Sequence, residues 1–446
     1  MGSLKCHLLS YLDKFYRVAS VKKENDLEIS EMIEHQFRRS FGEIVATLVR
    51  RIGINRISLA EDSAQEALVS ALRTWPYSGV PDNPAGWLYR VAHNRALDTL
   101  RAAGERLKHG DSADVLQNLE TMSDDQVNSL RFAKEIEDDR LRLMFTCCHP
   151  SLSVRSQIAL TLRLVSGLSA SEIAAALLSK KTAIQQQIVR AKKTLRSSDI
   201  PFEVPPTDEL EDRLGAILKI LYLVFNGGYA APEGDTAIRE DLCVEALRLT
   251  EDLLLSFTTA QSAVHALIAL ICAQLARFPA RLDDEGKPVP LPKQDRALWN
   301  DMLIGKALRH HKDSIVGDRI SPYHFEAAIA IEHCIAKSYE KTNWRNILEN
   351  YDGLLALTGS PVVALNRIVA LSKVHNAEIA MAELNRLEQE NSLTDYYLLP
   401  AVRAALLEDM GKTEEAKSEY QRSRDLCRNS VFAGWLDAQL GENESE

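Results

Sequence analysis

Apolar side chains recur every three or four positions along most of this chain, with polar side chains between them. In the stretch after Ser58, for example, Ala64, Leu68 and Ala71 or Leu72 fall on one side of a helix. This is the period of an amphipathic helix, and glycine and proline, which interrupt helices, are sparse. The pattern therefore predicts an all-α protein.

Three signals indicate where individual helices begin. They are the pairs Ser58–Glu61 and Ser169–Glu172 and the dipeptide Asn83-Pro84. Each pair has the spacing of a capping box, whose two side chains bond to free backbone N–H groups. Asn83 before Pro84 is typical of an N-cap followed by proline at the first helical position. The helix after Ser58 is expected to run through Trp75 and to end before Pro76 and Pro81.

The segment Leu168–Arg196 predicts two short helices around a break at Ser179–Lys181. Apolar residues give each helix an inner face: Ile173, Ala174 and Leu177 in the first, and Ile184, Ile188 and Ala191 in the second. Two short helices joined by a tight turn, the second of them basic, are typical of a helix-turn-helix. The alternative is a solvated basic helix in a bundle.

Composition shifts and prolines divide the chain into five parts. They are a leader over 1–30, a helical unit over 31–104, an acidic linker over 105–138, the helix-turn-helix unit over 139–200 and a helical extension over 205–446. Within the extension we expect loops at Asn226–Gly234 and Leu282–Pro292. The helix pair in Tyr396–Cys427, with Gly411 in its turn, resembles a tetratricopeptide repeat, and Val362–Gln389 is a weaker copy.

Charge is distributed unevenly. The 446 residues have a formal net charge of −10, yet the stretch from Asp139 to Ser198 contains ten lysines and arginines and only two acidic residues, Asp139 and Glu172. That stretch carries +8, so the rest carries −18. A basic island in an acidic chain indicates a localised contact with a polyanion.

Candidate chemistry is scarce. The seven cysteines are scattered, which argues against a disulfide framework, and Cys147-Cys148-His149 has no second ligand pair nearby with zinc-finger spacing. Asn226-Gly227-Gly228-Tyr229 matches no phosphate-binding motif, and no nucleophile elbow is present. No run of about 18 apolar residues predicts a membrane span. We therefore expect a cytoplasmic protein that is not an enzyme, needs no cofactor or metal, and does not bind a membrane.

Six motifs follow one another along the chain: LAEDSAQEAL, NPAGWLYRVAHNRALDTLR, DDRLRLMFTCCHPSLS, the helix-turn-helix ending in R-A-K-K-x-L, YLVFNGGYAAPEGD and SPVVALNRIVAL. In this order they resemble bacterial RNA polymerase sigma factors of the extracytoplasmic-function type. Together they cover about Glu31 to Leu440 and resemble the subgroup with a tetratricopeptide-like C-terminal extension. The resemblance implies core RNA polymerase and promoter DNA as partners. A protein partner of the extension is a further expectation.

The resemblance also implies a role for each candidate site. In the helical unit over 31–104 (region 2), the helix after Ser58 would grip polymerase through Glu61, Asp62, Gln65 and Glu66. The −10 promoter element would be melted by Asn83, Trp87, Arg90, His93, Asn94 and Arg95. In the helix-turn-helix unit over 139–200 (region 4), the second helix would read the −35 element through Lys180, Lys181, Thr182, Gln185, Gln186, Arg190 and Lys193. Trp87 ranks below Arg90 and Asn94, because a tryptophan there is more often part of a core.

The chain departs from the family at the recognition turn. Many sigma factors have Gly-Val-Pro there, and the subgroup has a Val-Pro-Glu-like turn, where this chain has Leu178-Ser179-Lys180. Two alternatives stay open: a helical repeat scaffold with an incidental helix-turn-helix, and an enzyme within the extension. Co-purification with polymerase subunits would argue against the first, and a bound metabolite would support the second.

Overall fold

The structure is a computed structural model of the chain. It describes residues 40–106, 130–177, 179–197, 200–229, 238–256, 262–316, 319–390 and 393–442. These residues are helical or irregular, and β-type pairing among them is limited to isolated bridge residues, such as the pair Leu282 and Pro288. The all-α prediction is therefore confirmed. The leader over 1–30 and most of the acidic linker lie outside the described residues.

The chain splits into two compact units. The first ends at Ile217 and the second begins at Leu218, except that residues 176–178 belong to the second unit. The helices of the first unit are α1 (40–52), α2 (Ile57–Ser78), α3 (Pro84–Arg106), α4 (Leu130–Cys147), α5 (Val154–Leu160), α6 (Ala170–Ala176) and α7 (Lys181–Ser197). A π-helical turn, Thr161–Val165, continues α5. Helix α8 (Thr207–Tyr229) runs across the boundary between the units.

The start of α3 follows its sequence signal. Asn83 Oδ1 accepts a hydrogen bond from the backbone N–H of Gly86 at 2.9 Å, and the helix begins at Pro84. The start of α2 does not follow its signal. That helix begins at Ile57, one residue before Ser58, and its N-cap, Arg56, makes no side-chain capping bond. The 3₁₀ turn Ile54–Arg56 precedes it, so the backbone is already turning before the Ser58 hydroxyl could cap it.

Two further expected boundaries are wrong. Helix α2 continues past Pro76 to Ser78 and ends at Gly79, whose φ of 79° suits glycine. The helical structure we expected to resume at Asp139 begins at Leu130, inside the segment interpreted as linker. Pro76 lies near the end of α2, where a proline removes only one hydrogen bond, so the helix can accommodate it.

The described residues of the second unit form ten further helices. They are α9 (Glu240–Ser256), α10 (Ser262–Leu275), α11 (Asp301–Ser314), α12 (Pro322–Ile335), α13 (Trp344–Thr358), α14 (Pro361–Val374), α15 (Ala377–Gln389), α16 (Leu398–Asp409), α17 (Thr413–Leu426) and α18 (Ser430–Glu442). The loop expected at Leu282–Pro292 is present, apart from a short 3₁₀ turn that begins at Leu291. The loop expected at Asn226–Gly234 is wrong for its first four residues, which are helical in α8, and the rest of it lies outside the described residues.

Helix α10 is the central helix of the second unit and packs against α9, α11 and α12. By length and composition the stretch Ser262–Ala280 could cross a membrane, and it is the one such stretch in the described part of the chain. Its apolar side chains are mostly buried within this unit. A buried core helix accounts for that composition.

Paired helices form the C-terminal part, as the repeat-like pattern predicted. Gly411, at φ 77°, joins α16 to α17, and Ala416 and Tyr420 on α17 are buried against Ala404 and Leu407 on α16. Helices α14 and α15 form the second pair, with Leu365, Ile368, Ala380 and Leu384 in their shared core. Small residues such as Ala404 and Ala416 let the helices approach closely.

Candidate nucleic-acid interface

Helices α6 and α7 form the predicted helix-turn-helix. The capping box that starts the first helix is confirmed: Ser169 N–H donates to Glu172 Oε2 at 2.7 Å, and Glu172 N–H donates to Ser169 Oγ at 3.1 Å. The turn closes when Ser179 N–H donates to Ala174 O at 2.8 Å. The departure from the family's turn therefore leaves the helix pair intact.

The inner face of α7 anchors it in the first unit. Ile184, Ile188, Ala191 and Leu195 are buried, and α7 packs against α5. Their spacing of three or four residues leaves the opposite side of α7 in solvent. The inner face thus determines which side chains DNA could reach.

The residues predicted to read DNA all lie in solvent. They are Lys180, Lys181, Thr182, Gln185, Gln186, Arg190 and Lys193, and each is exposed. Six of the seven lie on α7 and one, Lys180, directly precedes it. Lysine and arginine can bind phosphate or guanine, and glutamine can bind adenine with two hydrogen bonds. An element with these donors and no acidic side chain is suited to the DNA major groove.

Val189 also belongs to this surface, although the sequence analysis did not select it. Its side chain is 62% exposed, four residues after Gln185 and four before Lys193. An apolar group at this place can contact a thymine methyl group. The signal was available in the sequence, because Val189 falls off the Ile184–Ile188–Ala191 stripe.

Lys192 has a different environment from its basic neighbours. It is 8% exposed and donates to Glu61 Oε2 on α2, while Arg163 Nε donates to Glu61 Oε1 at 2.5 Å. Burial, with a smaller contribution from nearby Arg196, lowers the pKa of Lys192 to about 8. Region 4 therefore covers Glu61 with two cations, and Glu61 is itself only 4% exposed.

Close backbone contact supports the same arrangement. A Cβ atom on Gly42 of α1 would lie 2.2 Å from Val165 O, and Gly167, at φ 73°, approaches the Phe41 side chain. Only glycine permits the first of these contacts without displacement of the backbone. The glycines thus allow α1 of region 2 to pack directly on the chain entering the helix-turn-helix.

Ion pairs to α4 extend the contact. Asp139, which is fully buried, binds Arg50 Nε at 2.9 Å and Arg142 Nη1 at 2.5 Å, and Arg140 pairs with Glu43 at 3.3 Å. A buried carboxylate with two cationic partners is compensated, whereas the loss of one partner would be costly.

The rest of the predicted polymerase-binding surface differs from Glu61. Asp62 and Glu66 are exposed, and Gln65 is half-buried, with its amide donating to Glu61 Oε1 at 3.2 Å. The interpretation of all four residues as one exposed surface therefore needs correction at Glu61. Sequence alone could not show this, because the covering cations lie about a hundred residues further along the chain.

The residues predicted to melt the −10 element lie at the start and along the outer side of α3. Asn83, Arg90, Asn94 and Arg95 are exposed, and Trp87 and His93 are half-buried. The Trp87 ring packs edge-on against buried Trp75, with ring centroids 5.4 Å apart. Tyr77, which was not selected, is 88% exposed in the segment that precedes α3.

Other candidate chemistry finds no support in the described residues. Cys147 and Cys148 are buried, and burial raises the pKa of Cys148 to about 12, which opposes thiolate formation. In the described part of the chain, no group of three histidine, cysteine or acidic side chains is arranged to hold a metal ion.

Three family models match successive parts of the chain. Sigma-70 region 2 matches residues 38–106, Sigma-70 region 4 matches 142–195, and a family of unknown function, DUF6596, matches 213–315. An uncharacterised protein of Rhizobium meliloti (strain 1021) is 38% identical over 390 residues, which is 87% of this chain and 91% of that relative. No solved structure matches the chain.

Proposed function

The chain belongs to the sigma-70 family, as an extracytoplasmic-function-like sigma factor with a C-terminal extension, and from that premise we propose which residues carry each step. A sigma factor of this kind binds core RNA polymerase and promoter DNA and directs transcription initiation. It acts as a regulator of transcription and not as an enzyme. The assignment of residues is our proposal.

Helix α7 reads the −35 element. The observation that supports this most directly is the exposed row formed by Lys180, Lys181, Thr182, Gln185, Gln186, Arg190 and Lys193. Phosphate contacts from the cations would position the helix, and base contacts from Gln185 and Gln186 would provide sequence preference. Val189 adds an apolar contact on the same side.

Region 2 separates the strands at the −10 element. Arg90, Asn94 and Arg95 offer exposed polar and cationic groups to the backbone and bases of unpaired DNA. Unpaired bases also need aromatic surfaces on which to stack. Because Trp87 is engaged with Trp75, exposed Tyr77 is the better candidate for this stacking.

Core polymerase binds the α2 surface that contains Asp62, Gln65 and Glu66, and Glu61 joins it only after region 4 moves away. In the free chain Glu61 is held by Lys192 and Arg163. The same movement would free the two DNA-binding regions to span a promoter. The free protein is thus a closed form that polymerase opens.

Two further proposals concern the partner of the extension and the place where the protein acts. Stacked helix pairs present concave surfaces that commonly bind proteins, so we assign a protein partner to α14–α18. The site of action is the cytoplasm, where core polymerase is found, and binding to a membrane is not part of the proposal.

Run-off transcription with purified core polymerase, followed by sequencing of transcript starts, tests the function. We expect starts downstream of one shared promoter sequence. Arg190→Ala should weaken promoter binding and its salt dependence, because each phosphate contact releases counterions. Gln186→Ala should change base preference by about 1–3 kcal/mol at one −35 position. Unaltered binding, salt dependence and base preference in both variants would show that α7 does not read DNA.

A further inference from the structure

Two arginines of the DUF6596 region face one buried indole ring. The guanidinium carbon of Arg296 lies 4.4 Å from the Trp299 ring centroid, and that of Arg277 lies 5.5 Å from it. Trp299 is 6% exposed and Arg277 is 7% exposed. Arg277 follows the end of α10, and the other two residues lie in the loop before α11. The positive charges of Arg277 and Arg296 therefore both lie beside the Trp299 ring, within the second unit.

The Glu340 carboxylate acts electrostatically on Arg296, but among the described residues neither arginine forms an ion pair with an acidic side chain. Arg277 makes only long hydrogen bonds, at 3.5 and 3.4 Å, to the side-chain oxygens of Gln274 and Gln294. Arg296 Nη1 donates to two backbone carbonyls, His333 O at 2.7 Å and Ala336 O at 2.8 Å. These acceptors are neutral, so they satisfy donors without neutralising either charge.

Several buried nitrogen atoms in this cluster have no hydrogen-bond partner within the described parts of the chain. They are Arg277 Nε, Arg296 Nη2, Trp299 Nε1 and His333 Nδ1. Burial lowers the pKa of His333 to about 3, with smaller contributions from Arg277 and Arg296, so its imidazole is neutral at physiological pH. A buried donor or cation without a partner is costly, and proteins rarely keep several together.

We propose that the cluster of Arg277, Arg296 and Trp299 binds a small anion with a phosphate group. Three of the unpartnered nitrogens are N–H donors, and a phosphate group has enough acceptor oxygens for all three. A phosphate ester carries about −1.5 to −2 charges at neutral pH, which matches two guanidinium groups. The planar guanidinium donors also suit phosphate oxygens better than a lysine would.

The burial of the cluster selects the size of the ligand. Because Arg277 and Trp299 are more than nine-tenths buried, a macromolecular surface could not reach them, so the ligand must be small. The bound anion would link the end of α10, the loop before α11 and the end of α12, where His333 lies. It would thereby stabilise the extension, a role that is independent of how regions 2 and 4 bind polymerase and DNA.

Calorimetric titration of the full chain with potassium phosphate, and separately with glycerol phosphate, tests the proposal. Potassium chloride at matched ionic strength is the control. We expect saturable binding of one anion per chain and a rise in Tm of about 2–4 °C over chloride. Tighter binding of glycerol phosphate would identify a phosphorylated metabolite as the natural ligand, and tighter binding of phosphate would identify the free ion.

Variants determine where the anion binds. Arg277→Lys keeps a charge but loses the planar donors, and Trp299→Phe keeps an aromatic ring but loses the N–H. Each should weaken binding about tenfold or more, and Arg386→Gln, on the exposed side of α15, should leave it unchanged. Trp299→Phe keeps the test decisive if Arg277→Lys does not fold. The proposal is wrong if the full chain shows no saturable binding, or if both cluster variants bind phosphate as the full chain does.

Discussion

Lys192 and Lys193 are adjacent in the chain but have opposite surroundings. Lys192 is buried against Glu61, whereas Lys193 is exposed on the side of α7 that we propose to face DNA. Lys192→Ala should therefore loosen the contact between regions 2 and 4 and speed association with core polymerase. Lys193→Ala should leave that association unchanged and reduce the salt slope of DNA binding by about one. Fluorescence anisotropy with labelled core polymerase and with labelled promoter DNA measures both effects.

The two lysine variants act as controls for each other. If they change polymerase association equally, the Lys192–Glu61 contact does not hold the closed form. If Lys192→Ala weakens DNA binding as strongly as Lys193→Ala does, the contrast between a buried and a DNA-facing lysine is wrong.

Glu326 on α12 predicts a pH dependence of stability in the second unit. Its Oε2 atom accepts a hydrogen bond from Tyr222 Oη at 2.7 Å, and burial raises its pKa from an ordinary 4.5 to about 7. Between these values the folded chain keeps a proton that the unfolded chain has released. Stability should therefore fall as pH rises from about 4.5 to 7.

Glu326→Gln isolates this contribution, because its amide oxygen can still accept from Tyr222. We expect the variant to lose that part of the pH dependence and to be more stable than the natural chain at pH 8. Urea unfolding at pH 5 and pH 8 measures the difference, with Glu349→Gln, an exposed change on α13, as the control. An equal pH dependence in the natural chain and in Glu326→Gln would contradict the assignment.

At the scale of helices, Gly42 and Gly215 allow a matched comparison. Both are helical glycines of the first unit, but a Cβ atom on Gly42 would collide with Val165 O, whereas one on Gly215 would meet nothing within 4 Å. Gly215→Ala should stabilise the chain by up to about 1 kcal/mol through helix propensity. Gly42→Ala should lower the Tm and increase access to region 2, because the clash outweighs the same gain.

Hydrogen-exchange mass spectrometry at α2 provides the second measurement for the glycine pair. Faster exchange around Glu61 in Gly42→Ala, but not in Gly215→Ala, would agree with an opened contact between the regions. Equal Tm and equal exchange in the two variants would mean that α1 does not pack closely on Val165.

Local signals predicted helix type well and helix ends less well. Ser169–Glu172 and Asn83-Pro84 both mark helix starts as predicted, because each satisfies backbone N–H groups from within a few residues. The Ser58–Glu61 pair has the same residue types and spacing as Ser169–Glu172, but the Glu61 carboxylate binds Arg163 and Lys192 instead. A capping pattern competes with tertiary partners, which sequence spacing does not reveal.

Across the whole chain, the exposure of a candidate residue is easiest to predict from the sequence where a single helix carries the whole site. The exposed side of α7 follows from the period of its own apolar residues, so all seven residues predicted to read DNA are exposed. Glu61 and the Arg277–Trp299–Arg296 cluster depend on residues brought together by folding. Their partners, separated by up to about a hundred and thirty residues, have no signature in local periodicity.

Removal of the extension tests its role in the whole molecule. A fragment ending before Pro205 keeps regions 2 and 4 but loses α8, from which Arg213 Nη2 donates to Phe145 O at 3.0 Å. Since α8 runs into the second unit, the extension is continuous with a helix that contacts region 4. We expect a folded fragment whose promoter-dependent transcription differs from that of the full chain.

Arg213→Ala in the full chain separates the two consequences of truncation. That variant loses the bond to Phe145 but keeps every helix of the extension, so it should reproduce only the loss of stability. Run-off transcription and thermal unfolding of the fragment, the variant and the full chain provide the comparison. If the fragment transcribes like Arg213→Ala, the extension has no regulatory role of its own, and the contact made by Arg213 is its whole contribution to regions 2 and 4.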